Sequence, residues 1–118
     1  MHGVYIGNNR MLVSPLWGGR LIVPADDLSI SPDLIINGVI ELPLTKFLLH
    51  QVKAGQVVVD IGANIGYYSV LLGHLVGPVG HVFACEANPY LIPILADNLS
   101  INYLSDRTSI INKAIYSS

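Results

Sequence analysis

Two carboxylates and two glycines carry the chemistry of this chain. Asp60 closes the run Val57-Val58-Val59, and Gly62-Ala63-Asn64-Ile65-Gly66 follows almost at once. Three β-branched residues in succession predict a strand buried on both faces, with Asp60 near its end. Beyond the turn, Ile65, Tyr68, Leu72, Leu75 and Val76 recur at helical spacing, so the turn sits at a helix N-terminus whose unpaired N–H groups face it. That order of strand, tight turn and helix makes a ligand site. Gly62 supplies the positive φ of a sharp reversal, and Gly66, lacking a Cβ, lets a ligand or the strand approach the first helical turn.

The carboxylates narrow the ligand. A dinucleotide fingerprint needs G-x-G-x-x-G, but Asn64 and Tyr67 stand at its second and third glycine positions. Asp60 would repel a pyrophosphate, whereas it can accept hydrogen bonds from a cationic or hydroxyl-bearing ligand. Glu86 comes twenty positions after Gly66, at the end of the next apolar run, His81-Val82-Phe83-Ala84-Cys85. A carboxylate there suits two ribose hydroxyls.

Asp60-Ile61-Gly62-Ala63-Asn64-Ile65-Gly66-Tyr67-Tyr68-Ser69, followed by Glu86-Ala87-Asn88-Pro89, resembles the FkbM-type family of S-adenosylmethionine-dependent methyltransferases. The resemblance covers roughly residues 20 to 116, with weaker similarity at Gly38-Val39-Ile40-Glu41 and Asn112-Lys113-Ala114-Ile115. It implies S-adenosylmethionine as cofactor, with Asp60, Gly62, Ala63, Asn64 and Gly66 around its methionine end and Glu86 on its ribose. Glu41 is either a further cofactor contact or an exposed carboxylate at a helix start. The implied reaction is O-methylation of a sugar or natural-product hydroxyl, hence a small-molecule or glycan acceptor. The family carries an Asp-x-Glu-Gly motif in later strands that these 118 residues do not contain. The chain is therefore expected to be a truncated, cofactor-binding half of such an enzyme. The other reading is a non-catalytic fragment or interaction module that associates through an open sheet edge.

The elements that must position these residues follow in chain order. Val4-Tyr5-Ile6, Gly7-Asn8-Asn9 and Met11-Leu12-Val13 predict a β-hairpin, and Leu21-Ile22-Val23 a further strand. Residues 1–30 thus form a β-rich extension, and 31–118 the N-terminal half of a cofactor-binding domain. Asp26 and Asp27 are expected in a solvated loop, since no third ligand for a metal is evident. Ser31-Pro32 predicts a helix start and Gly38 its stop. A second helix begins near Pro43, with Leu42, Phe47, Leu48 and Val52 on one face, and ends at Lys53-Ala54-Gly55. After Glu86, Asn88-Pro89 caps another helix with Leu91, Ile94, Leu95 and Leu99 on one face, which Pro93 delays or kinks. Thr108 to Asn112 forms a third strand. Right-handed crossovers then give three parallel strands in the order 3-2-1, a partial Rossmann-like class I methyltransferase fold. The first of them is left as an open edge.

Composition bounds the remaining possibilities. Hydrophobic residues make up 52% and charged residues 12% of the chain, which excludes a disordered segment. A net charge of −2 with six scattered Lys and Arg offers no basic stripe, so nucleic acid is discounted as a ligand. The single cysteine, Cys85, reads as a buried core thiol, and His50, His74, His2 and His81 lack catalytic spacing. Gly77-Pro78-Val79-Gly80 interrupts the uncharged stretch from Tyr67 to Cys85, which argues against a membrane span. The N-terminus lacks a secretory pattern, from which a cytoplasmic location is expected.

Overall fold

The computed structural model describes residues 2–27 and 29–114, so Leu28 and Ile115, with the chain's extreme termini, lie outside the described residues. The chain divides into two compact units, Met1–His50 and Gln51–Ser118.

The first unit is built on a three-stranded antiparallel sheet of β1 (Gly3–Gly7), β2 (Arg10–Val13) and β3 (Leu21–Pro24). Its hairpin turns where the sequence places Gly and Asn, with positive φ at Gly7, Asn8 and Asn9. Val13, Leu21 and Val23 are fully buried and form the core of this unit with Leu34. Leu34 belongs to α1 (Ser31–Asn37), which ends at Gly38 in a left-handed conformation whose N–H bonds to the Leu34 carbonyl at 2.9 Å.

The start of α1 differs from the expectation. Ser31 is the first helical residue rather than the cap, and Asp27, expected to be solvated, caps the helix instead. Its carboxylate accepts hydrogen bonds from the N–H groups of Ser29, Ile30 and Ser31 and from the hydroxyls of Ser29 and Ser31. Burial alone would raise the Asp27 pKa, but these donors outweigh it and hold the group at about 2 against its ordinary 3.8. The next helix, α2 (Leu42–Gln51), stops before Lys53. Its apolar face is not buried: Leu42, Leu44, Phe47 and Leu49 are exposed, and Thr45 is its buried residue.

The second unit is a parallel sheet of β4 (Val57–Ile61), β5 (His81–Cys85) and β6 (Thr108–Ile111), with β5 central. α3 (Tyr67–Val76) and α4 (Ile92–Ile101) are the two crossovers, and this is the Rossmann-like order expected. Pro93 explains why α4 begins late. Asn88 and Pro89 form a turn first, with the Tyr90 N–H on the Asn88 side chain, and the helix starts only at Ile92, where Pro93 falls in its first turn. Val70, Val76, Val82, Ala84 and Leu95 are fully buried, with Leu99 and Leu104 nearly so.

β4 corrects a second expectation. It is covered on one face only, with Val57, Val59 and Ile61 respectively 66%, 58% and 62% exposed. Strand alternation turns these three to one side, while Val58 and Asp60 face α3. In parallel register they align with His81, Phe83 and Cys85 of β5.

The cap at Asp27 gives a test of the first unit. A carboxyl held below its unfolded value adds stability that is complete above about pH 4 and is lost as pH falls toward 2. Asp27→Ala is expected to cost about 1 kcal/mol at pH 7, as loss of a helix cap does. In urea titrations the gap to the parent protein should close between pH 4 and pH 2; a gap independent of pH would remove Asp27 as the cap.

Candidate functional site

The site gathers at the C-terminal ends of β4 and β5, where two loops meet. The first loop, from Ile61 to Gly66, is held by hydrogen bonds along its backbone, most of them to groups outside it. The N–H groups of Gly62 and Ala63 both bond to the Cys85 carbonyl, at 2.9 and 3.0 Å, and that of Gly66 bonds to the Ala63 carbonyl at 2.9 Å. Such a path requires left-handed residues, which occur at Gly62 (φ 74°), Asn64 (φ 55°) and Gly66 (φ 102°). Asn is among the few residues with a Cβ that accept this conformation readily.

Gly62 and Gly66 serve different ends. A Cβ on Gly62 would meet nothing within 4 Å, so the space beside it is open. A Cβ on Gly66 would lie 2.8 Å from Leu95 Cδ1, so the close approach at this position comes from α4 rather than from β4.

Glu86 ties the two loops together. It is only 9% exposed, and one carboxylate oxygen accepts the Asn64 N–H at 2.7 Å while the other accepts the Asn88 N–H at 2.8 Å. Each oxygen retains acceptor capacity, since a carboxylate offers about four lone-pair sites. On the far side, Asn112 donates its side-chain amide to the Glu86 and Ala87 carbonyls, at 2.9 and 3.3 Å.

Asp60 is the other carboxylate of the second unit's site. Burial pushes its pKa up from 3.8, and the negative charge of Glu86 adds in the same direction. A 2.7 Å hydrogen bond from the Ser69 hydroxyl opposes both. Ser69 is fully buried, and the sequence reading missed it. The available signal was a small hydroxyl in the first turn of an otherwise apolar helix, which suits a bond to the strand end it faces. Asn98 was missed for a similar reason: it interrupts the Leu95-Leu99 stripe of α4, and its side-chain amide donates to the Ile65 carbonyl at 2.7 Å.

The structure thus brings together Asp60, Gly62, Ala63, Asn64, Gly66 and Glu86. Glu41 belongs to the other unit, in a left-handed turn (φ 43°) just before α2, and is not one of the residues assembled around this loop within the second unit. Among the described residues, no three His, Cys, Asp or Glu side chains cluster as a metal site would require, and no helix is long and apolar enough to cross a membrane.

The loop and both carboxylates lie within a stretch that has known relatives. The family model for the TRM5/TYW2 methyltransferase domain matches residues 45–116, more than half of the chain. The chain belongs to this family. The tRNA wybutosine-synthesizing protein 2 homolog of Mus musculus is 43% identical over 58 residues, covering 48% of this chain and 13% of that protein. The chain therefore spans about an eighth of the length of that relative. Two solved structures share the fold across 93% of this chain: M. jannaschii TYW2 in complex with AdoMet, at a TM-score of 0.69, 22% identity and 46% coverage of that chain, and aTrm5 with tRNALeu, at 0.69, 22% and 29%.

TRM5/TYW2 membership confirms a methyltransferase domain that uses S-adenosylmethionine, and corrects the finer reading of the loop as FkbM-type. The expected small-molecule or glycan acceptor and the exclusion of nucleic acid are overturned as well. The Mus musculus relative is named for tRNA, and one solved neighbour is a complex with it. The charge balance failed as a guide because it was counted over 118 residues, whereas such a relative is far longer than the 13% of it that is matched here.

Asp60 makes a test possible without any ligand. A carboxyl whose folded pKa is raised favours the folded state below its unfolded value, and that advantage is lost as pH rises through the folded value. Asp60→Asn removes the half-buried charge, so its unfolding temperature relative to the parent should climb as pH is raised from 4 to 7. A difference that is flat with pH would contradict the burial of this charge.

Proposed function

We propose that the chain forms the cofactor-binding part of an S-adenosylmethionine-dependent methyltransferase acting on tRNA. One observation carries the reading: two loops at adjacent parallel strand ends are latched by a buried carboxylate, with a second carboxylate and an open glycine beside them. Ligands of open α/β sheets bind at that edge.

The donor set fits the cofactor. Asp60 offers an acceptor to the ammonium of the methionine end, and a cation beside it would relieve the cost of its burial. Gly62, Ala63, Asn64 and Gly66 shape the loop along which the ligand would lie, and Gly62 leaves the space open. The acceptor capacity left on Glu86 suits the ribose hydroxyls. When bound, S-adenosylmethionine supplies a methyl group activated by its sulfonium. The chain's own contribution is to hold and orient that group and to keep the loop closed around it.

The acceptor class rests on family membership and on the relatives named for tRNA. Methylation of a nucleobase or ribose in tRNA requires the acceptor to meet the C-terminal edge of the sheet, where the two loops lie.

Isothermal titration with S-adenosylmethionine is expected to give saturable binding, weakened at least about tenfold by Glu86→Ala. Glu86→Gln keeps one acceptor oxygen and should fall between the two. Methyl label from the cofactor should pass to a tRNA transcript and not to a DNA duplex of the same length. Binding that is indifferent to both Glu86 substitutions would sink the site, and label passing to neither nucleic acid would sink the acceptor.

A further inference from the structure

The peptide joining Ile65 to Gly66 is held at both ends. Its N–H, on Gly66, bonds back to the Ala63 carbonyl at 2.9 Å, and its carbonyl, on Ile65, accepts the Asn98 side-chain amide at 2.7 Å. The first bond lies within the loop, whereas the second comes from α4, thirty-three positions further along the chain. Turning this peptide over would break both bonds at once. Because Ile65 is 3% exposed and Asn98 fully buried, water does not reach the groups to replace them.

The surroundings of Asn98 hold it in turn. Asn102, one helical turn further on, donates its side-chain amide to the Asn98 backbone carbonyl at 2.7 Å. Asn102 also hydrogen-bonds to His74 of α3, whose pKa is lowered mainly by burial despite that bond. One turn before Asn98, Leu95 fills the space where a Gly66 Cβ would be. A buried amide in an apolar helix face is costly unless bonded, and an apolar residue would pack there without that cost. The loop gains what the core gives up.

We propose that Asn98 is a positioning residue of the cofactor loop: it fixes the Ile65–Gly66 peptide, and with it the direction in which the first turn of α3 presents its N–H groups. This rests on the reading of the loop as an S-adenosylmethionine site. Asn98 itself touches no ligand and acts through the loop backbone.

The test separates positioning from plain stability. Asn98→Leu removes the donor while keeping the number of side-chain heavy atoms, and Asn98→Ala does so without adding bulk should the leucine variant fail to fold. Val82→Ala, at a fully buried position at the opposite end of β5, serves as a control that destabilises the same sheet. Titration with S-adenosylmethionine and amide hydrogen exchange over residues 62–66 are measured on each protein well below its unfolding temperature. The Asn98 variants should bind about tenfold more weakly and exchange faster in the loop, while Val82→Ala does neither. Wild-type affinity and loop protection in a folded Asn98 variant would overturn the proposal, as would equal losses in Val82→Ala. Should the parent protein itself fail to bind, the cofactor reading falls, and loop exchange alone still decides whether Asn98 holds the peptide.

Discussion

A carboxylate that spends both oxygens on backbone N–H groups of two different loops is the constraint on which the site depends. Glu86 cannot leave its place without breaking its bonds to the N–H groups of Asn64 and Asn88, which are what holds the two loops together at this point. The left-handed residue at Asn64 is tolerated because this bond and the two N–H bonds to the Cys85 carbonyl define the loop around it. Everything else at the site is arranged about that closure. Asp60 is half-buried beside a like charge, a local cost that a cationic ligand would offset. Natural cores seldom keep such a pair unless binding uses it, since structural stability alone would favour an apolar residue.

Most of the second unit was readable from the sequence because its signals are local. Val57 to Asp60, the turn glycines, and the apolar spacing of α3 and α4 each follow from residue type and period, and parallel order follows from crossover handedness. Residues that act across distance were not readable. Ser69 and Asn98 are small polar residues in apolar helices, and nothing in their neighbours reveals that one faces Asp60 and the other the Ile65 carbonyl. Asp27 escaped for the same reason: adjacent acids look solvated until the helix they cap is in place. β4 shows the converse error. A run of β-branched residues says that a strand can be buried on both faces, not that this unit covers both.

The family reading failed at a different level. Read as a cofactor loop, Asp60 to Gly66 answers to the fold and the cofactor rather than to the acceptor, so methyltransferases with different acceptors can share such a sequence. Acceptor choice lies in residues that do not touch the cofactor, and neither the loop nor the overall charge records it. The loop therefore identified the kind of chemistry, and the match over residues 45–116 identified the family.

The strand order has a mechanical consequence for the two carboxylates. β5 is laddered on both sides, whereas among the described residues β4 pairs with β5 alone and keeps three apolar side chains in water. Local opening takes less free energy where fewer backbone bonds and contacts must be broken. Within these residues Asp60 therefore lies on a strand held from one side, and Glu86 directly follows one held from both. On the reading proposed above, Glu86 is the fixed jaw of the site and Asp60 the compliant jaw.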